Sequence, residues 1–153
     1  MDMLQDVVEF HQKYKLDAHR REPGARVSDQ LITFRLKFLL EELTELNVAL
    51  GKQDLPEALD ALVDLVYVAL GTAYLLDLPF KEAWYQVHAA NMQKRRASSA
   101  EQSKRGTQLD VVKPVGWRSP DHSFLLHDAD LALKTSAEPT QLSLLDLLQE
   151  VRL

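Results

Sequence analysis

Five carboxylates are the residues of this chain best suited to chemistry. The run FLLEELTELNVAL (38–50) carries Glu41, Glu42 and Glu45, and PEALDALVDLVYVALG (56–71) carries Asp60 and Asp64. Side chains three and four apart share a helix face, so Glu41, Glu42 and Glu45 project along one edge. Taking about 100° per residue from Glu57, Asp60 falls at about 300° and Asp64 at about 340°, one narrow sector. A short turn joins the two segments, which are therefore predicted to pack antiparallel, with Glu41, Glu42 and Glu45 opposite Asp60 and Asp64. Carboxylates gathered in this way repel one another unless hard cations lie between them. Oxygen-only ligands suit Mg²⁺ or Mn²⁺ rather than zinc.

The two aspartates pose a sharper problem. Leu59, Leu62, Val63, Leu65, Val66 and Val68 surround them, and no Lys or Arg lies between Lys52 and Lys81. A lone ionised carboxylate in a dry interior costs several kcal/mol, roughly, unless it is paired. The compensating charge is expected from another part of the fold, a partner or a bound cation. EELTE alone is equally the pattern of a solvated helix face, and Glu57 suits a first-turn position near a helix N-terminus. A di-iron carboxylate bundle would need Glu-x-x-His on two helices. None of His11, His19, His88, His122 and His127 has Glu three residues before it.

The elements that must position these groups read as helices. Residues 3–16 carry apolar positions at 4, 7, 8, 10 and 14, a short helix, and RREPGAR (20–26) follows as a loop with Pro23-Gly24 as its turn signal. Ser28 reads as the N-cap of a long helix to about Leu50, with Gly51 as its C-terminal glycine. Asp54 and Glu57 have capping-box spacing and open a third helix to about Leu76. A fourth is predicted over 80–97. Beyond Ala97 the sequence turns polar and irregular, and its last dozen residues, LSLLDLLQEVRL, regain a helical pattern expected to serve docking or assembly.

At 153 residues, nearly half of them hydrophobic, the chain is long enough for one domain with a core. Scarce Gly and Pro favour an all-α architecture: an antiparallel four-helix bundle over 1–97, with a loop-rich basic arm and C-terminal helix over 98–153 in the same domain. Without cysteine, disulfides, thiolate metal sites and Cys catalysis are excluded. The N-terminus is acidic where a signal peptide is basic, and no apolar run reaches the roughly 18 uncharged residues of a membrane span. A cytoplasmic protein is the expectation. The net charge of −5 conceals an asymmetry: residues 91–118 hold seven Lys/Arg against two acids, so an acidic body precedes a basic segment. Four short helices bury little alone, and a homodimer or homotetramer is expected.

With these residues in view, the chain resembles the all-α nucleoside triphosphate pyrophosphohydrolases of the MazG-like and phosphoribosyl-ATP pyrophosphohydrolase-like group. Their signature is Glu-Glu-x-x-Glu on one helix and Glu-x-x-Asp on the next. Glu41-Glu42-Leu-Thr-Glu45 matches the first half literally. In the second half, Glu57-Ala-Leu-Asp60 has the spacing, but the familiar run after the family's Asp begins at Asp64 (DLVYVALG). The second pair is therefore assigned to Asp60 and Asp64, spaced by four rather than three. VHAANMQK (87–94) looks like the family's Asn-x-x-Lys, giving Asn91 and Lys94, and Lys-Pro-x-Gly-Trp (113–117) and EFHQKY (9–14) are also similar.

The resemblance implies cleavage between the α- and β-phosphates to a monophosphate and pyrophosphate, with two or more Mg²⁺ (or Mn²⁺) ions per site. It implies Glu42, Glu45, Asp60 and Asp64 as metal ligands, with Glu41 orienting or deprotonating the water. Asn91 and Lys94 would hold phosphate oxygens, with Lys113 or Arg118 closing from the arm. Phe10, His11, Trp84 and Tyr85 are candidates for the base-binding wall. A similar phage subgroup, the MazZ type, suggests a purine such as (d)GTP, against pyrimidine dUTP or dCTP. A nonenzymatic helical protein binding nucleotide or nucleic acid through the 94–118 arm is the alternative, as is a helical interaction protein with an acidic face. The arm has no helix-turn-helix or zinc signature, so neither nucleic acid nor membrane is an expected partner.

Overall fold

Side-chain caps start three helices where the sequence supplies them. The Asp2 carboxylate accepts from the Gln5 amide, Ser28 Oγ from Leu31 N at 3.2 Å, and Asp54 Oδ1 from Glu57 N at 3.3 Å. In the computed structural model, which describes residues 1–136 (side chains to residue 133), these caps open α1 (Met3–Lys13), α2 (Asp29–Gly51) and α3 (Leu55–Leu75). Two further helices follow, α4 (Phe80–Met92) and α5 (Asp128–Ser136), with a two-stranded antiparallel ladder of β1 (Arg95–Arg96) and β2 (Val111–Val112) between them. The fold class is all-α. The helix expected over the last dozen residues lies outside the described residues.

Two boundaries differ from the sequence reading. Gly51 is the last helical residue rather than the left-handed stop; that conformation falls on Gln53, at φ 59°, just before the Asp54 cap. Helix α4 ends at Met92 rather than residue 97, because Arg95 and Arg96 pair with Val112 and Val111.

The chain divides into two compact units. The first combines Met1–Leu78 with the described residues from His127 onward, and Pro79–Leu126 is inserted between them as the second. In the first unit α3 packs against both α2 and α1. Residues 52–54 return the chain, and α2 and α3 run antiparallel: Arg35, early in α2, bonds to Val68 and Thr72, late in α3. Small residues on α3, among them Ala58, Ala61, Gly71 and Ala73, are buried and allow this close approach. Among the described residues α3 has the length and apolar composition of a membrane-crossing helix, yet it carries Asp60 and Asp64 and packs on α1 and α2.

Arg21 gathers the unit's remaining pieces. Its amide donates to Leu75 O and its Nε to Leu76 O, where cationic groups complement the end of α3. Its Nη1 donates to Ala25 O and pairs with Asp130 of α5, which also accepts from Gly24 N at 2.8 Å. Gly24 is required twice over. Its φ is +76°, and a Cβ there would lie 2.8 Å from that of Ala129. Asp130 is held at about 2, first by the Arg21 hydrogen bond and then by the Gly24 amide.

Candidate active site

A cleft of about 780 Å³ opens in the first unit, lined by α1, α2 and α3 and by the segment between α1 and α2. On α2 its lining repeats as Leu31, Phe34, Arg35, Phe38 and Glu42, and on α3 as Asp64, Tyr67, Val68 and Leu75, the spacing of two facing helical stripes. Phe10 and His11 of α1 complete the wall.

Glu42 is the buried carboxylate of this site, 7% exposed. Burial raises its pKa, and the charges of Asp64, Glu45, Glu41 and Asp60, in that order, raise it further. Glu42 of α2 and Asp64 of α3 line the same cleft, and the charges of all four other carboxylates act on Glu42. Among the described residues no basic side chain pairs with it. Asp60 and Asp64 are nevertheless exposed in this chain, as are Glu41 and Glu45, and this corrects the expectation of aspartates in a dry interior. The apolar residues beside them are exposed too, with Leu59 at 64% and Val63 at 54%. Helical periodicity placed the apolar face correctly, but nothing among the described residues covers it.

Among the described residues, no trio of Asp, Glu or His side chains is already gathered at metal-ligating distance. The donor set still fits a hard dication. It is oxygen-only and mutually repulsive, and the four exposed carboxylates have rotamer freedom to close around an ion.

His11 does reach the cleft. It is buried, and its Nδ1–H donates to Val7 O at 2.8 Å, which leaves the lone pair on Nε2 in the neutral ring. Phe10 lines the same wall, with its ring 5.6 Å from that of Tyr67. Trp84 and Tyr85, also candidates for that wall, are exposed on α4 in the inserted unit and do not line this cleft.

Sequence reasoning missed Arg35, Phe34, Phe38 and Tyr67. Their position on the Glu42 and Asp64 stripes is the signal that could have found them.

In the inserted unit, Trp117 organises the basic residues. Its indole N–H donates to Ala90 O at 2.8 Å, and the turn that carries it closes from Trp117 N to Pro114 O with Gly116 at φ +81°. The ammonium groups of Lys113 and Lys94 lie 4.3 and 5.4 Å from its ring centroid. Two of the predicted phosphate ligands, Lys94 and Lys113, are therefore brought to one aromatic ring. Asn91 and Arg118 are exposed in the same unit, and Asn91 O accepts from Lys94 N at 3.0 Å. Arg105 has a structural role instead. It pairs with Asp110, whose carboxyl is held at about 2, first by the Ser103 hydroxyl and then by Arg105.

Comparison with known families gives a match to the phosphoribosyl-ATP pyrophosphohydrolase family over residues 7–91. That span includes α2, α3 and all five carboxylates. No curated protein sequence matches the chain.

Proposed function

This chain belongs to the phosphoribosyl-ATP pyrophosphohydrolase family, within the MazG-like superfamily of nucleotide pyrophosphohydrolases, and from that premise we propose a metal-dependent hydrolase that converts a (d)NTP to the (d)NMP and pyrophosphate. The observation that carries the reading is buried Glu42, whose neighbouring charges are all carboxylates, at the wall of a nucleotide-sized cleft.

In this proposal Glu42, Glu45, Asp60 and Asp64 hold Mg²⁺ or Mn²⁺. Bound there, the metal supplies charge neutralisation, polarisation of the phosphate and a more acidic water. Glu41, exposed at the edge of the cluster, orients the attacking water and takes its proton. Water oxygen bonds to the α-phosphorus as the bond to the α–β bridging oxygen breaks, and pyrophosphate leaves with that electron pair. A carboxylate would suffice as base, since a metal held by these residues would make the water more acidic. Asn91, Lys94, Lys113 and Arg118 are the proposed phosphate ligands of the inserted unit, supported by the convergence of Lys94 and Lys113 on Trp117. His11 and the aromatic residues of the cleft hold the base.

The proposed assembly is a homodimer or homotetramer in the cytoplasm, or in the host cytoplasm for a phage-encoded chain. The exposed stripe of Leu55, Leu59, Leu62, Val63 and Val66 supports self-association. Covering that stripe would also draw Asp60 and Asp64 into drier surroundings, where their charge demands a cation.

The test is chromatographic product analysis of each canonical NTP and dNTP with Mg²⁺ or Mn²⁺, beside Asp64→Asn. Monophosphate plus pyrophosphate, lost by at least 100-fold in the variant (~2.7 kcal/mol of transition-state stabilisation), is the expected result. No turnover of any nucleotide would overturn the reading.

A further inference from the structure

Among the described residues, Arg35 is a buried cation with no carboxylate partner. It is 6% exposed and lines the cleft. Its Nε donates to Thr72 Oγ1 at 3.0 Å and its Nη2 to Val68 O at 2.7 Å. Nη1 has no acceptor among the described residues. The guanidinium carbon lies 5.3 Å from the Phe38 ring centroid and 5.7 Å from that of Phe34, and the two rings are 5.9 Å apart, so both lie to one side of a planar donor group. Burial lowers its pKa, as expected of a charge held without a counter-ion.

His11 stands beside it. A Cβ built on Gly71 would lie 3.2 Å from Arg35 Nη2 and 3.3 Å from His11 Nε2, so both nitrogens approach the same point on α3. With Nδ1–H committed to Val7 O, neutral His11 has an acceptor at Nε2, and Arg35 has only donors. A donor and an acceptor therefore sit side by side in a mostly apolar cleft. Arg35 precedes Glu42 by seven residues, two helical turns or about 10 Å along the same face of α2. That separation is comparable to the reach of a nucleoside from its base edge to its α-phosphate.

We propose that Arg35 and His11 read the base, selecting nucleotides with an imide edge (a carbonyl beside a ring N–H, as in guanine, hypoxanthine, uracil and thymine) over their amino-bearing counterparts. The inference rests on the nucleotide-hydrolase reading above. Arg35 donates to the carbonyl, and His11 Nε2 accepts from the neighbouring ring N–H. An amino-bearing base in the same pose sets an NH₂ against a donor-only cation and a bare ring nitrogen against a lone pair. Sites that hydrogen-bond one partner reject its mismatched analogue far more strongly than apolar pockets reject a change of size.

The test uses substrate pairs that differ along this edge, with the full chain and Mg²⁺. These are dGTP against the 2,6-diaminopurine deoxynucleoside triphosphate, and dUTP against dCTP. The expected kcat/KM favours the keto member at least tenfold in both pairs. In Arg35→Met, which keeps an unbranched side chain beside the phenylalanines, the ratio collapses toward one while circular dichroism stays that of the folded chain. The substrate arm leaves the protein unaltered and stands even where the variant does not fold. Ratios within twofold in the unaltered protein overturn the proposal, as does an intact ratio in folded Arg35→Met. Failure to cleave any triphosphate instead overturns the hydrolase reading. Calorimetry with dGMP and the 2,6-diaminopurine deoxynucleoside monophosphate then tests base reading separately: tighter dGMP supports it, and equal or absent binding overturns it.

Discussion

Replacing Gly71 with Ala tests how rigidly the α1–α2–α3 contact is built. Gly71 is buried in α3, and the added methyl would lie 2.9 Å from His11 Cε1, 3.2 Å from Arg35 Nη2 and 3.3 Å from His11 Nε2. The first distance is too short for any carbon contact, so a neighbour must move. Neither can move freely: His11 is tied to Val7 O, and Arg35 is tied to Val68 O and Thr72 Oγ1. Overpacking of this kind costs about 1–3 kcal/mol, while Gly→Ala inside a helix returns up to about 1 kcal/mol. The net expectation is a loss of about 1 kcal/mol, or roughly 2–4 °C in Tm for a chain of this size. Gly51→Ala is the matched control. It lies at the end of α2, where a methyl meets nothing within 4 Å, so the same exchange leaves stability unchanged or improved. Thermal and urea melts of both variants give the answer. A Gly71→Ala protein as stable as the parent would mean that His11 and Arg35 are not fixed as described, and would weaken the base-reading proposal with them.

Two more outcomes follow from the charges. Glu42 has a raised pKa in the fold, so the metal-free protein loses stability as pH rises from the group's unfolded pKa through its folded one. Glu42→Gln should therefore melt higher than the parent at pH 8 in EDTA, by ~2–4 °C for about 1 kcal/mol, and gain nothing when Mg²⁺ is added. A variant that melts lower in EDTA would refute this. Asp130 has the opposite sign: its pKa falls from 3.8 to about 2, so its contribution is present above about 4 and disappears as pH drops through 2. In an acid titration followed by circular dichroism, Asp130→Asn should lose less stability across that window than the parent. Asp110, also at about 2, keeps its own acid-labile share in both proteins.

The sequence made the carboxylate hairpin legible because its signals are local. Ser28 and Asp54 cap their own helices, the turn between α2 and α3 is short, and a period of 3.6 puts Glu42 and Asp64 on facing stripes. What escaped was set by distant contacts. Arg35 looks like any surface arginine until Val68 O and Thr72 bury it from another helix. The end of α4 depends on pairings fifteen and seventeen residues along the chain, beyond the reach of periodicity. Helix α5, DADLALKTS, has a weak apolar pattern and is held in part by an ion pair to Arg21, which spacing along the chain cannot foretell. The apolar stripe beside Asp60 was visible, but its exposure was not, because a pattern of residue types does not say what packs against it.

The tie between Arg21 and Asp130 also has a consequence in time. The two residues are separated by 109 positions, with the whole inserted unit between them. Translation proceeds at ~5–20 residues per second, so roughly 5–20 s pass between the synthesis of one partner and the other. In the later half of that interval α1, α2 and α3 are all available to assemble while Arg21, later 7% exposed on its side chain, waits without its carboxylate. The nascent hairpin is therefore complete in sequence well before its clasp, and closure onto α5 waits until the inserted unit has been made.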